Sequence, residues 1–188
     1  MGHIRTFIAI EIPELIIEEI TRVQNELKRT QAQVGWVKPG NIHITLKFLG
    51  NTDESKISDI AGQIKKSVAG IPPFEIMVQG IGVFPNFRRP RVVWIGTEHN
   101  DQLLKLAKNI DTNMSHLGFE KENRPFKAHL TLGRVKGIRG MHECLDVLRQ
   151  NNDFKGGSFL ADYVLLIKSE LKPTGAVYTP LEKIKLEL

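Results

Sequence analysis

The sequence predicts an α+β fold: a bilobal molecule with two mostly antiparallel sheets in pseudo-twofold arrangement around a central cleft, and helices on the outer faces. Three observations carry this expectation. Strand-like and helix-like segments alternate as strand-helix-strand-helix-strand, and that order occurs twice. The breaks between them are short, at Ile71-Pro72-Pro73, Pro85 to Pro90, Gly156-Gly157 and Lys172 to Gly175, with no low-complexity stretch and no long linker. A chain of 188 residues, 41% hydrophobic and 25% charged, suits one domain with a sizeable core. A repeat of about 85–90 residues would make each half very small on its own. A single two-lobed domain over residues 1–188, with sequence halves of roughly 1–85 and 86–188, is therefore expected.

Thr6 to Ile12 is β-branched and apolar, as in a buried strand. Pro13 can open a helix, and Leu15, Ile16, Ile20, Val23 and Leu27 recur at helical spacing over residues 14–29. Asn41 to Leu49 reads as a strand ended by Gly50. Thr52 or Asp53 then caps a helix with Ile57, Ile60, Ile64 and Val68 on one face. Phe74 to Val83 and Arg91 to Gly96 read as strands. Asn100 or Asp101 caps a helix to about His116, with Leu103, Leu104, Ala107 and Ile110 inward. Ala128 to Val135 is a strand and Met141 to Arg149 a short helix. Phe159 to Leu171 and Ala176 to Leu186 read as two strands of a hairpin.

The composition excludes collagen-like, disulfide-scaffold and disordered chains. Twenty-six Lys and Arg against 21 Asp and Glu leave a formal charge of +5, which favours anionic partners such as nucleic acid. The one cysteine, Cys144, permits no internal disulfide and no Cys-rich metal site, and reads as a small apolar filler in a reducing compartment. No apolar run approaches a membrane span, and the N-terminus lacks a signal-peptide layout. A cytoplasmic protein without membrane association is expected.

Two short phrases carry the chemistry. His43-Ile44-Thr45-Leu46 and His129-Leu130-Thr131-Leu132 occupy matching points of the two halves. Side chains alternate faces on a strand, so each phrase presents an imidazole and a hydroxyl together, with apolar residues behind. Either pair alone would pass as partly buried polar residues on a strand. Two pairs facing one cleft suit acid–base work on a phosphodiester. One neutral imidazole can deprotonate water, one imidazolium can protonate the departing oxygen, and the Thr hydroxyls can donate to the non-bridging oxygens. None of this requires a metal or a cofactor. Strand parity puts Lys47 on the His43 face as a further cation. The same parity puts Arg134 opposite His129, unless a bulge or the strand end intervenes. Arg88, Arg89 and Arg91, between Phe84 and Val92, and Arg124 and Lys127, beside the second phrase, are candidate RNA contacts. Trp36 and Trp94 read as packing residues. The chain has no phosphate-binding Gly-Lys-Ser/Thr loop, His-Glu-x-x-His motif or dinucleotide fingerprint.

These residues are similar to those of the two-histidine phosphoesterases. Within them the chain resembles the bacterial and archaeal RNA 2′,3′-cyclic phosphodiesterase family, also called 2′-5′ RNA ligase. Arg5 to Ile10 resembles the opening strand of that family, and Trp36 to Gly50 its first signature. Phe84-Pro85 with Pro90 to Trp94 resembles its central segment, and Phe126 to Arg134 its second signature. Ala128 stands where Pro often precedes the second histidine. The resemblance implies hydrolysis of an RNA-terminal 2′,3′-cyclic phosphate to a 2′-phosphate. It implies His43 as proton donor to the leaving 3′ oxygen and His129 as acceptor from water, with Thr45, Thr131 and Arg134 holding the phosphate. The expected partners are RNA with 2′,3′-cyclic phosphate ends or 2′,3′-cyclic nucleotides, met by a monomer. ATP-independent 2′-5′ joining of RNA ends, or a non-catalytic RNA-end-binding module, are the alternatives.

Overall fold

The computed structural model describes residues 2–188. Nine strands form one continuous sheet: β1 (His3–Glu11), β2 (Val34–Trp36), β3 (His43–Asp53), β4 (Phe74–Phe84), β5 (Val92–Thr97), β6 (His129–Val135), β7 (Lys155–Ala161), β8 (Tyr163–Lys172) and β9 (Gly175–Lys185). Their order is β7-β4-β5-β6-β3-β1-β8-β9, with β2 also paired to β6. Every pairing between these strands is antiparallel. Four helices cover one face: α1 (Glu14–Arg29), α2 (Ile57–Val68), α3 (Asp101–Ser115) and α4 (Met141–Gln150). No helix of the described residues is long and apolar enough to cross a membrane.

The two half-sheets join through one pair, Ile44 with Leu130. Beyond it, the short strand β2 takes over pairing with Gly133 to Val135, so β3 and β6 diverge and leave a furrow between them. The expected two sheets are thus a single curled one, with its seam at the point where the His-Thr phrases meet.

Alternation of side chains separates the two faces. Ile8 and Ile10 of β1, Ile44 and Leu46 of β3, Leu130 and Leu132 of β6, and Val164 and Leu166 of β8 face the main core under the helices. Ile16, Ile20, Val23 and Leu27 of α1 pack there, as their spacing predicts. On the other face, Phe7, Ala9, Leu165 and Ile167 form a small cluster with Tyr178 against it. Asp53 accepts from the Ser55 amide at 2.9 Å and opens a short 3₁₀ turn before α2. Asn100 caps α3 by accepting from the Leu103 amide at 2.9 Å.

Three local expectations change. The segment Phe159 to Leu171 is two strands in opposite halves of the sheet, since β7 pairs β4 whereas β8 pairs β1, and the chain crosses at Asp162. β3 continues past Gly50 to Asp53, paired to β1 throughout. On α3, Leu106 is fully buried and Leu104 only half-buried, so the inward face is rotated from the expected one.

Candidate active site

Taking Ile44 and Leu130 as the centre of an antiparallel register sets His43 opposite Thr131 and Thr45 opposite His129. Ile44 and Leu130 point into the core, so all four neighbours project from the other face. Directly opposed side chains start about 5 Å apart at Cβ, and diagonal ones about 7–8 Å. The two imidazoles therefore lie diagonally across a quartet whose other corners are hydroxyls. A phosphoryl group between them can be reached from opposite sides.

Both rings are held alike. His43 Nδ1–H donates to the carbonyl of Asn41, and His129 Nδ1–H to the carbonyl of Lys127, each at 2.7 Å. A carbonyl only accepts, so Nδ1 carries a proton and Nε2 is the atom presented for proton transfer. Phe7 stacks on His43 at 4.7 Å between ring centroids, and Tyr178 meets the same ring edge-on at 5.4 Å. Phe84 packs edge-on against His129 at 5.1 Å and stands 5.0 Å from the Trp94 ring. Trp94 lies flat across β4 and β5, because a Cβ on Gly82 or Gly96 would come within 2.6 or 3.2 Å of its ring. Burial lowers the pKa of His43 to about 4; the Asn41 carbonyl opposes that, and proximity to His129 adds to it.

Each phrase is followed by a bulge at its fourth residue. In β3, Thr45 pairs Ala9 but Lys47 pairs Ile8, leaving Leu46 as the extra residue. In β6, Thr131 pairs Trp94 but Gly133 pairs Val93, leaving Leu132 extra. A bulge inverts parity beyond it. Arg134 consequently turns to the His-Thr face and lines one cavity of about 650 Å³ with His43, Thr45 and Thr131. Phe48, its counterpart in β3, turns the same way and is 55% exposed.

The first bulge corrects the expectation for Lys47. Parity turns it inward, where it is 3% exposed. Its Nζ donates to Asp111 Oδ1 at 2.6 Å and to the Glu120 carbonyl at 2.7 Å, so it is a buried tether and not an RNA contact. Asp111 Oδ1 also accepts from the Glu122 amide at 3.1 Å, which fixes the loop running toward His129.

The other cations are scattered. Arg88 and Arg89 sit in an exposed turn whose amides donate to Asn86 Oδ1, and Arg91 is exposed at its end; none of the three lines the His43 cavity. Arg124 lines a separate hollow beside Phe48. Lys127 borders a cavity of about 730 Å³ on the far side of His129, together with Phe84, Trp94 and Phe126. Trp36, expected as packing, also lines the His43 cavity.

Sequence reading missed three residues at the site. Arg5 and Tyr178 line the His43 cavity. Both Arg5 and Arg134 lie near enough to the Tyr178 phenol to oppose the rise that burial imposes on its pKa. The third is Gln24, fully buried, whose amide donates to the carbonyls of Val37 at 2.8 Å and Leu132 at 3.0 Å and so pins the second bulge. A glutamine on the apolar stripe of an amphipathic helix was the available signal. Among the described residues, no three His, Cys, Asp or Glu side chains converge as metal ligands.

Comparison with known proteins matches this geometry to others. The chain matches the LigT like Phosphoesterase family twice, over residues 10–94 and 95–178, each match holding one His-Thr phrase. It is 38% identical over 183 residues to an RNA 2′,3′-cyclic phosphodiesterase of Methanothermobacter thermautotrophicus, covering 97% of this chain and 99% of that one. Against the protein of the same name from Methanocaldococcus jannaschii it is 40% identical over 179 residues, with coverages of 95% and 99%. A crystal structure from Thermus thermophilus superposes with a TM-score of 0.82 at 28% identity over 97% of each chain. The structure of E. coli LigT complexed with 3′-AMP gives a TM-score of 0.82 at 25% identity over the whole of both chains.

Proposed function

The chain belongs to the LigT-like phosphoesterase family, and from that premise we propose that it hydrolyses RNA-terminal 2′,3′-cyclic phosphates to 2′-phosphates. The observation that carries this reading is the quartet of His43, Thr45, His129 and Thr131 on one face of two paired strands, with Arg134 turned toward it. The names of its relatives support the substrate class.

In the proposed reaction, His129 Nε2 takes a proton from water as the water oxygen bonds to phosphorus. The bond from phosphorus to the 3′ oxygen breaks in line, and His43 Nε2 gives that oxygen its proton. The Thr45 and Thr131 hydroxyls and the Arg134 guanidinium hold the non-bridging oxygens, where charge accumulates. One chain supplies every group, so a monomer suffices. No step calls for a metal or a cofactor.

His43 is nearly all neutral in the free protein at pH 7, since its pKa stands at about 4. An anionic phosphate against Nε2 favours the imidazolium and raises that value on binding. The same observation favours a second reading, with His43 as base and His129 as acid. A nucleoside p-nitrophenyl phosphate separates the two, because its leaving group needs no proton. The variant lacking the acid regains activity on it, and the variant lacking the base does not.

The first test is product analysis on 2′,3′-cyclic AMP with EDTA present, for wild type, His43→Ala and His129→Ala. The expected product is 2′-AMP alone, with turnover reduced by roughly 10²–10⁴ in either variant. Formation of 3′-AMP would reverse the leaving oxygen. Turnover that survives both substitutions would overturn the reading.

A further inference from the structure

We propose that the wall of the His43 cavity built from β2, the turn at Pro39–Asn41 and the tip of the β8–β9 hairpin is a second phosphate subsite. It takes the phosphodiester one nucleotide before the cyclic end, and so makes the substrate an RNA chain in preference to a cyclic mononucleotide. This inference rests on the hydrolytic reading above.

The charge of the cavity exceeds what one phosphate requires. Arg134 alone answers the reacting group, yet Arg5, Lys38 and Lys136 line the same space. Among the described residues, no carboxylate lines it. None of these four cations is in an ion pair among the described residues. Four unneutralised charges around one furrow repel each other, and an anion with more than one phosphate relieves that repulsion.

Two glycines lay the lysines along the wall. A Cβ on Gly175, at the hairpin tip, would stand 3.6 Å from Lys38 Cε and 3.9 Å from its Nζ. A Cβ on Gly35 would stand 3.0 Å from Lys136 Cε. Both stems therefore cross backbone bare of side chains. The Asn41 amide donates to the Ala176 carbonyl at 2.8 Å, which ties the turn to the hairpin and holds Lys38 beside it. Leu171, 72% exposed, lines the same cavity and offers an apolar seat for a base or ribose.

The alternatives are less suited. The cavity beyond His129 holds Lys127 and Lys155 but also Glu98 and Asp153, which cancel them. The arginines at the β4–β5 turn line neither cavity. A polyanion leaving the quartet thus meets net positive charge on the β2 side.

The test compares kcat/KM for a 2′,3′-cyclic mononucleotide and for a trinucleotide ending in 2′,3′-cyclic phosphate, between 50 and 200 mM salt. Wild type is expected to favour the trinucleotide by at least about tenfold, with a preference that shrinks as salt rises. The double variant Lys38→Gln/Lys136→Gln is expected to lose about tenfold more on the trinucleotide than on the mononucleotide. Its salt slope should fall by about 0.7, the value for one single-strand phosphate no longer neutralised. Equal losses on both substrates, or no chain preference in wild type, would overturn the subsite. Fluorescence anisotropy with a labelled trinucleotide ending in 2′-phosphate separates the two readings. Binding that the double variant loses, in a wild type that turns over neither substrate, sinks hydrolysis and supports the subsite. Turnover with identical binding by both proteins sinks the subsite alone.

Discussion

At the scale of single residues, the site depends on holding an imidazole where water is scarce. Phe7 and Tyr178 cover His43 on two sides, and the Asn41 carbonyl fixes its tautomer. The ring titrates at about 4 in the fold against 6.5 in the unfolded chain. Between those values the unfolded state binds the extra proton, so stability present above pH 6.5 is lost as pH falls toward 4. At about 1.4 kcal/mol per unit of pKa, the full loss amounts to about 3 kcal/mol. Melting temperatures of wild type and His43→Asn, taken from pH 7.5 down to 4, measure it. Wild type should fall more steeply across that window, and parallel curves would remove His43 as the cause. Both histidines and both threonines were legible in the sequence, because period-two alternation states which neighbours share a face. The depressed pKa was not, since it comes from aromatic rings on β1 and β9, distant in sequence from His43.

At the scale of elements, the twin bulges decide which cations reach the cavity. Strand parity read Lys47 as a cleft residue and Arg134 as its opposite, and one extra residue in each strand inverts both. Parity is a local rule, whereas a bulge is set by the partner strand and by what anchors the freed carbonyl. Gln24 supplies one such anchor, from a helix more than a hundred residues away in sequence. Replacing Gln24 with Leu leaves the Val37 carbonyl without its side-chain donor and the Leu132 carbonyl with the Val37 amide alone, and is expected to cost about 1–3 kcal/mol. Denaturant melts would read the loss, and turnover should fall further than stability alone predicts because Arg134 is displaced. The other bulge makes Lys47 a tether for Asp111 and the loop through Glu122. Lys47→Met strands Asp111 and the Glu120 carbonyl, and should destabilise by about 3 kcal/mol or more. Adding Asp111→Leu should restore part of that loss. A double variant no better than the single would show that the ion pair is not what Lys47 contributes.

At the scale of the whole molecule, the duplicated sequence does not form two separable halves in space. The half-sheet β3-β1-β8-β9 combines strands from both ends of the chain. The half-sheet β7-β4-β5-β6 takes β4 from the first sequence half and the rest from the second. The boundary between the two family matches, at residues 94 and 95, falls inside β5. Element order was legible because each apolar period is local. The exchange of β4, β8 and β9 was not, because Asp162 alone marks the jump from one half of the sheet to the other. β2 escaped notice for a similar reason, since three residues carry no period. An interleaved sheet ties the lobes into one cooperative unit, for neither half-sheet can form from one sequence half. Tryptophan fluorescence, which reports Trp36 and Trp94 in the second half-sheet and at its edge, and far-ultraviolet circular dichroism, which reports the whole, should trace one coincident urea transition. A fragment of residues 1–85 loses β8 from beside β1 and both strands that flank β4, and should show no cooperative transition when expressed alone. Two separated transitions in the full chain, or a folded fragment, would mean that the lobes stand independently and that the seam at Ile44 and Leu130 is a contact between domains.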